Sequence, residues 1–161
     1  KKEVTATVTE ALPEFAYTHS GASGSVATEL THPDLGITQW TLSNGVRINW
    51  KKTDFAQDQI LLSLRWGDGL LSLPKEYSGL DKVLEGVWIR GGLSAHAYAE
   101  IERMTAGKSV SVNFNVAPDA FVLGGSCSKA DFIMMIKKAL MMPGNITASR
   151  LLTRPRLRFT I

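Results

Sequence analysis

The run Gln39–Trp40–Thr41–Leu42–Ser43–Asn44–Gly45–Val46–Arg47–Ile48–Asn49–Trp50 is an alternating sequence folded back on itself at Asn44–Gly45. That dipeptide is the strongest short-range hairpin signal, because a type I′ turn needs positive φ at both central residues. Val46, Ile48 and Trp50 alternate with Arg47, Asn49 and Lys51, as a half-buried strand requires. A chain built around such a hairpin must form an antiparallel sheet with one face turned to a core.

The elements that follow supply that core. Ile60, Leu62, Leu64 and Trp66 share one face of a strand expected at about 59–66. Leu80, Val83, Leu84, Val87 and Trp88 repeat at helical spacing as one buried stripe, and Gly91–Gly92 stops them. Ser94 can cap a second helix carrying Ala97, Ile101 and Met104 inward and ending at Gly107. Val110, Val112, Phe114 and Val116 then alternate with Ser111, Asn113 and Asn115. Phe121, Leu123, Gly125 and Cys127 line a further strand. Ser128–Lys129–Ala130–Asp131 opens a helix in capping-box style, with Phe132, Met135, Ile136 and Ala139 as its stripe and Pro143–Gly144 as its stop. The expected fold class is α+β: an antiparallel sheet covered on one face by helices, in the order β-β-β-α-α-β-β-α. Residues 1–36 read as an extended connector, 37–144 as the folded domain and 145–161 as a basic tail.

Charge and cysteine content exclude several functions. The tail's Arg150, Arg154, Arg156 and Arg158 meet no acid, so a net charge of +3 leaves 3 − 4 = −1 for the rest. A nearly neutral body is a poor polyphosphate binder, and no nucleic-acid partner is expected. No apolar run approaches the roughly 20 residues of a membrane-spanning helix, so no membrane partner is expected either. The single cysteine, Cys127, forbids an internal disulfide and a Cys-rich zinc site, and reads as a small buried hydrophobe.

Four stretches in this order resemble the pitrilysin/insulinase-type zinc metallopeptidase family, in particular its bacterial, PQQ-locus-like members. They are Thr38–Trp50 with Lys52–Thr53–Asp54–Phe55; Gly91–Gly92–Leu93–Ser94; Glu100–Ile101 through Ala106–Gly107–Lys108 and the strand after it; and Gly124–Gly125–Ser126 with Ser128–Lys129–Ala130–Asp131–Phe132. The resemblance implies tandem copies of one domain, arranged as two halves around a chamber for peptides. It also implies, in the catalytic copy, a first-helix His-x-x-Glu-His motif. Two imidazoles at i and i+4 share one helical face and a Zn²⁺, and the glutamate takes a proton from the bound water.

That motif is absent here. His19, His32 and His96 are the only histidines and none is paired at i+4. Aligned after the third strand, Lys82-Val83-Leu84-Glu85-Gly86 occupies its place. A protonated lysine cannot ligate, and the lone Glu85 reads as a solvated charge. The expectation is therefore a chain with no catalytic, cofactor-binding or metal residue, inactive alone, with zinc in the catalytic half of the parent protein. The resemblance implies the non-catalytic copy that opens the second half, a part of the chamber wall that supports peptide binding. Its partners would be that catalytic half or another copy of itself, and peptide substrates. A periplasmic or cell-envelope location follows from the resemblance only. The alternative is a scaffold or assembly module of the same fold with no proteolytic role. After Pro143 the sequence departs from the family pattern, which reads as an incomplete domain.

Several residues have ordinary readings. His96 is expected as a surface or first-turn residue. Trp40, Trp50, Trp66 and Trp88 fit a core better than a ligand platform. Met134, Met135, Met141 and Met142 fit packing better than a soft-metal site. Gly124–Gly125 marks a bulge or a close backbone approach, and Asn145–Ile146–Thr147 is a short glycosylation pattern.

Overall fold

The computed structural model describes residues 14–17, 24–93, 95–141 and 158–160. In chain order the elements are β1 (Val26–His32), β2 (Ile37–Leu42), β3 (Arg47–Trp50), β4 (Ile60–Trp66), α1 (Leu80–Val87), α2 (Tyr98–Thr105), β5 (Val110–Val116), β6 (Phe121–Cys127), α3 (Phe132–Met141) and β7 (Arg158–Thr160), with short 3₁₀ turns between them. The strands make one sheet in the order β1-β2-β3-β7-β4-β6-β5. Every pairing is antiparallel except β3 with β7. Helices α1 and α3 pack on β5 and β6. The α+β class and the central β-β-β-α-α-β-β-α order hold.

The β2–β3 hairpin forms, with a different turn. Thr41 pairs with Arg47 and Leu42 bonds to Val46, so the loop is the three residues Ser43, Asn44 and Gly45. Gly45 N–H donates to the Leu42 carbonyl at 2.9 Å and Leu42 N–H to the Val46 carbonyl at 2.8 Å. Gly45 has φ 83°, while Asn44 keeps negative φ. This is a type I turn closed by a left-handed glycine, not the expected type I′. Asn44 explains the choice, because its Oδ1 accepts the Val46 N–H at 3.1 Å and caps the wider loop.

The core lies between the helices and the β4–β6–β5 half of the sheet. Leu62, Leu64, Trp66, Phe114, Val116, Leu123, Cys127, Met135 and Ala139 are buried there, and Val46 joins them from the hairpin turn. Removing a large apolar side chain of this kind from water is worth about 1.5–3 kcal/mol. Trp88 stacks on Phe114 at 4.5 Å and 16°. Trp66 meets Phe114 at 5.9 Å and Phe121 at 6.0 Å. Trp40 and Trp50 form a separate pair 5.9 Å apart, so the four tryptophans are two clusters.

Gly124 and Gly125 sit in unbroken register with β4 and β5, so they mark a close approach and not a bulge. A Cβ on Gly125 would stand 2.8 Å from the Ser111 carbonyl oxygen and 3.2 Å from the Met135 sulfur. Bare backbone at this point lets α3 settle onto the sheet. Its approach is fixed by Asp131. That carboxylate accepts from Ser128 Oγ and from Ser109 N–H, each at 2.9 Å, while Ser128 Oγ accepts Asp131 N–H at 3.2 Å.

Three expectations change. The stretch read as a connector contains β1, whose seven residues are all exposed. With no face buried, its sequence shows no apolar alternation, and Glu29 and His32 suit an exposed sheet edge. The stretch read as a basic tail contains β7, which lies between β3 and β4 and pairs with both. Three residues are too short a run to show a period. The α1 stripe is half covered. Leu84 and Trp88 pack on the core, whereas Leu80, Val83 and Val87 are exposed, because α1 rests on β5 at the margin of the sheet. Ser94, Met142, the Asn145 pattern and most of the arginine-rich stretch lie outside the described residues.

Candidate functional site

Helix α1 carries the position of interest. Lys82 and Glu85 are one turn apart, and Lys82 Nζ donates to Glu85 Oε2 at 3.1 Å. The same ammonium lies 3.5 Å from Asp81 Oδ2. The other oxygen of Glu85, Oε1, accepts the backbone N–H of Val116 at 3.0 Å. Val116 ends β5, so Glu85 ties the helix to the sheet. The Val116 N–H, and after it the Lys82 ammonium, hold the Glu85 carboxyl below its ordinary value. The hydrogen bond to Glu85 holds Lys82 above its own. Both groups are charged at neutral pH.

Glu85 is thus not the merely solvated charge expected from the sequence. It has an assigned task, invisible locally because its acceptor role links residues 31 positions apart. Chemically the trio is closed. A protonated ammonium has no lone pair for a metal, and Gly86 has no side chain. Among the described residues, no three His, Cys, Asp or Glu side chains gather closely enough to hold a metal ion.

Cys127 is buried beneath α3, at 4% exposure. Burial, with the Asp131 and Asp58 charges adding to it, pushes its thiol up, so a thiolate nucleophile is disfavoured. His96 is not a surface residue. It is 6% exposed, because Phe15 and Tyr17 close over it from 80 positions away in sequence. Two aromatic residues in a Gly/Ser-rich stretch were the available signal.

A groove of about 1080 Å³ runs between the 51–59 loop and the start of β4, with Lys52, Phe55, Leu61 and Lys129 on its walls. Strand β7 pairs with Ser63–Arg65 of β4 only. The edge of β4 from Ile60 to Leu62 therefore faces the groove with no strand on that side among the described residues. Phe55 and Leu61 stand exposed beside it.

The fold is that of a known protease. The crystal structure of the periplasmic protease PqqL from Escherichia coli matches 92% of this chain with a TM-score of 0.74 at 19% identity. The ferredoxin protease FusC, solved as a mutant in complex with Arabidopsis ferredoxin, matches 94% with a TM-score of 0.65 at 14% identity. An Arabidopsis thaliana protein described as zinc protease PQQL-like is 36% identical over 66 residues, 41% of this chain. The chain shares the fold of these proteases, and over 66 residues its sequence is similar to a protein described as a zinc protease. No protein-family model matches the chain. The chain spans 17% of each of the two solved proteases and 7% of the Arabidopsis protein. What is similar is therefore one domain-sized part of much longer proteins.

Proposed function

We propose that this chain is a non-catalytic metallopeptidase domain that forms part of a substrate chamber and supports peptide binding, the zinc being carried by another domain of the parent protein. The observation that carries the reading is the α1 trio. When α1 is aligned with the family's motif-bearing helix by its position after the strand that precedes it, Lys82 and Gly86 fall where the catalytic copy has its two imidazoles; Lys82 is bonded to Glu85, and Glu85 holds the Val116 N–H. A residue fastened to the sheet backbone is not free to accept a proton from a metal-bound water.

The edge of β4 supports the binding role. The outer edge of β4 along Ile60–Leu62, which no described strand covers, lies beside exposed Phe55 and Leu61 and suits the addition of an extended peptide as a further strand. PqqL and FusC are proteases, which favours this reading over an assembly module without proteolytic role.

The test is an unstructured fluorescent peptide incubated with the purified chain. The expected result is a rise in polarisation with the peptide left intact. Cleavage that a chelator abolishes would overturn the proposal, as would failure of both acidic and basic peptides to bind.

A further inference from the structure

The segment Glu14–Tyr17 sits on the described domain through specific contacts. Ala16 N–H donates to His96 Nε2 at 2.9 Å. Ala95 N–H donates to the Tyr17 hydroxyl oxygen at 2.9 Å. The Phe15 ring stacks on the imidazole at 5.5 Å and 16°, and Tyr17 meets it edge-on at 6.0 Å. Both aromatics pack against a small apolar cluster of Leu93 and Ile101 with Ile89 and Val112. That cluster is separate from the main core and is roofed by these two side chains.

We infer that the hollow formed by Leu93, His96 and Ile101 is a docking site for an aromatic-x-aromatic segment, occupied here by Phe15–Ala16–Tyr17, and that His96 makes its occupancy depend on pH. An imidazole nitrogen that accepts a backbone N–H must be unprotonated, so the ring proton sits on Nδ1, 3.6 Å from Glu100 Oε2. Adding a proton to Nε2 sets a donor against the Ala16 donor. The charged ring keeps Glu100, which attracts it, and loses the segment. The charged and titratable groups on the surrounding elements are Glu14 and Tyr17 on the segment, Arg90 on the 3₁₀ turn before Leu93, and Tyr98, Glu100, Glu102 and Arg103 on α2. Of these, Glu100 and Tyr17 contact the ring. Glu100 also accepts the Ala97 N–H at 3.0 Å, which fixes it beside His96 and starts α2. The inference does not depend on the peptidase reading.

Residue-level hydrogen exchange of the full chain tests it, with intrinsic pH effects divided out. The Ala16 amide is expected to be protected at about pH 7.5 and to lose roughly tenfold in protection at about pH 5.5, while β5 and β6 amides keep theirs. In His96→Gln the side-chain carbonyl can accept at either pH, so protection should persist on acidification. Should that variant fail to fold, the wild-type comparison decides alone, with Tyr17→Phe as a second probe, expected to weaken protection at both pH values. An unprotected Ala16 amide at the higher pH overturns the docking. Protection that is equal at both overturns the histidine gate.

Discussion

The two halves of the sheet share the same strand chemistry and differ in what covers them. In β4, β6 and β5 the inward residues Leu62, Leu64, Trp66, Leu123, Phe114 and Val116 are buried under α1 and α3. In β1, β2 and β3 no residue of a strand is buried: β1 is exposed throughout and β2 is half-exposed throughout. Trp50 and Leu30 lie open, and the core is reached by Val46 at the hairpin turn, with half-buried Leu42 and Ile48 packed beside it. Alternation therefore dictates which way a side chain points, while burial is decided by helices that come from elsewhere in the chain. The helix-backed half holds most of the buried side chains, and the other half is joined to it by strand pairing through β7 and by the packing of Val46, Leu42 and Ile48.

That contrast can be broken by substitution, beginning with the largest effect. Leu123→Ala should cost about 3 kcal/mol in denaturant unfolding, since this leucine is fully buried beneath the helices. A loss below about 1 kcal/mol would mean the core is not packed as described. Gly125→Ala should cost about 1–3 kcal/mol, because its Cβ meets immovable backbone at Ser111 and the seated Met135. Gly124→Ala meets only the side-chain amide of Asn113, which can turn away, and should be milder.

Glu85→Gln tests the tie between α1 and β5. A carboxyl held below its ordinary value of 4.5 contributes stability that is fully present above that value and lost as the pH falls through its lower folded value. Acid unfolding of the wild type should therefore begin below about pH 4.5, and the glutamine variant should show lower stability at neutral pH with a flatter acid limb. The Asp131 carboxyl, lowered first by the Ser109 N–H, adds to the same limb and would remain in the variant. An unchanged acid profile in Glu85→Gln would show that the helix is held by apolar packing alone. The smallest effect belongs to the uncovered half. Leu30→Ala is expected to stay within about 0.5 kcal/mol, since Leu30 is 53% exposed. A large loss there would mean that something covers this face in solution.

Legibility in the sequence follows the same division. Val110–Val116 and Phe121–Cys127 announce themselves because a covered sheet demands strict alternation. β1 and β7 do not, one because none of the described residues covers it and the other because it is three residues long. The hairpin was readable, but its turn type depended on where the Asn44 side chain bonds. At the candidate site, the histidine count and Lys82 were visible in the letters alone. The bond from Glu85 to Val116 and the cover that Phe15 and Tyr17 lay over His96 were not, since each joins distant parts of the chain.

The metal content of the purified chain after incubation with excess Zn²⁺ and removal of the unbound ion tests the central claim most directly. With Lys82 and Glu85 paired to each other and Gly86 in the remaining position, the chain should retain far less than one zinc per molecule. One tightly held zinc per chain, released by Glu85→Gln, would contradict the account.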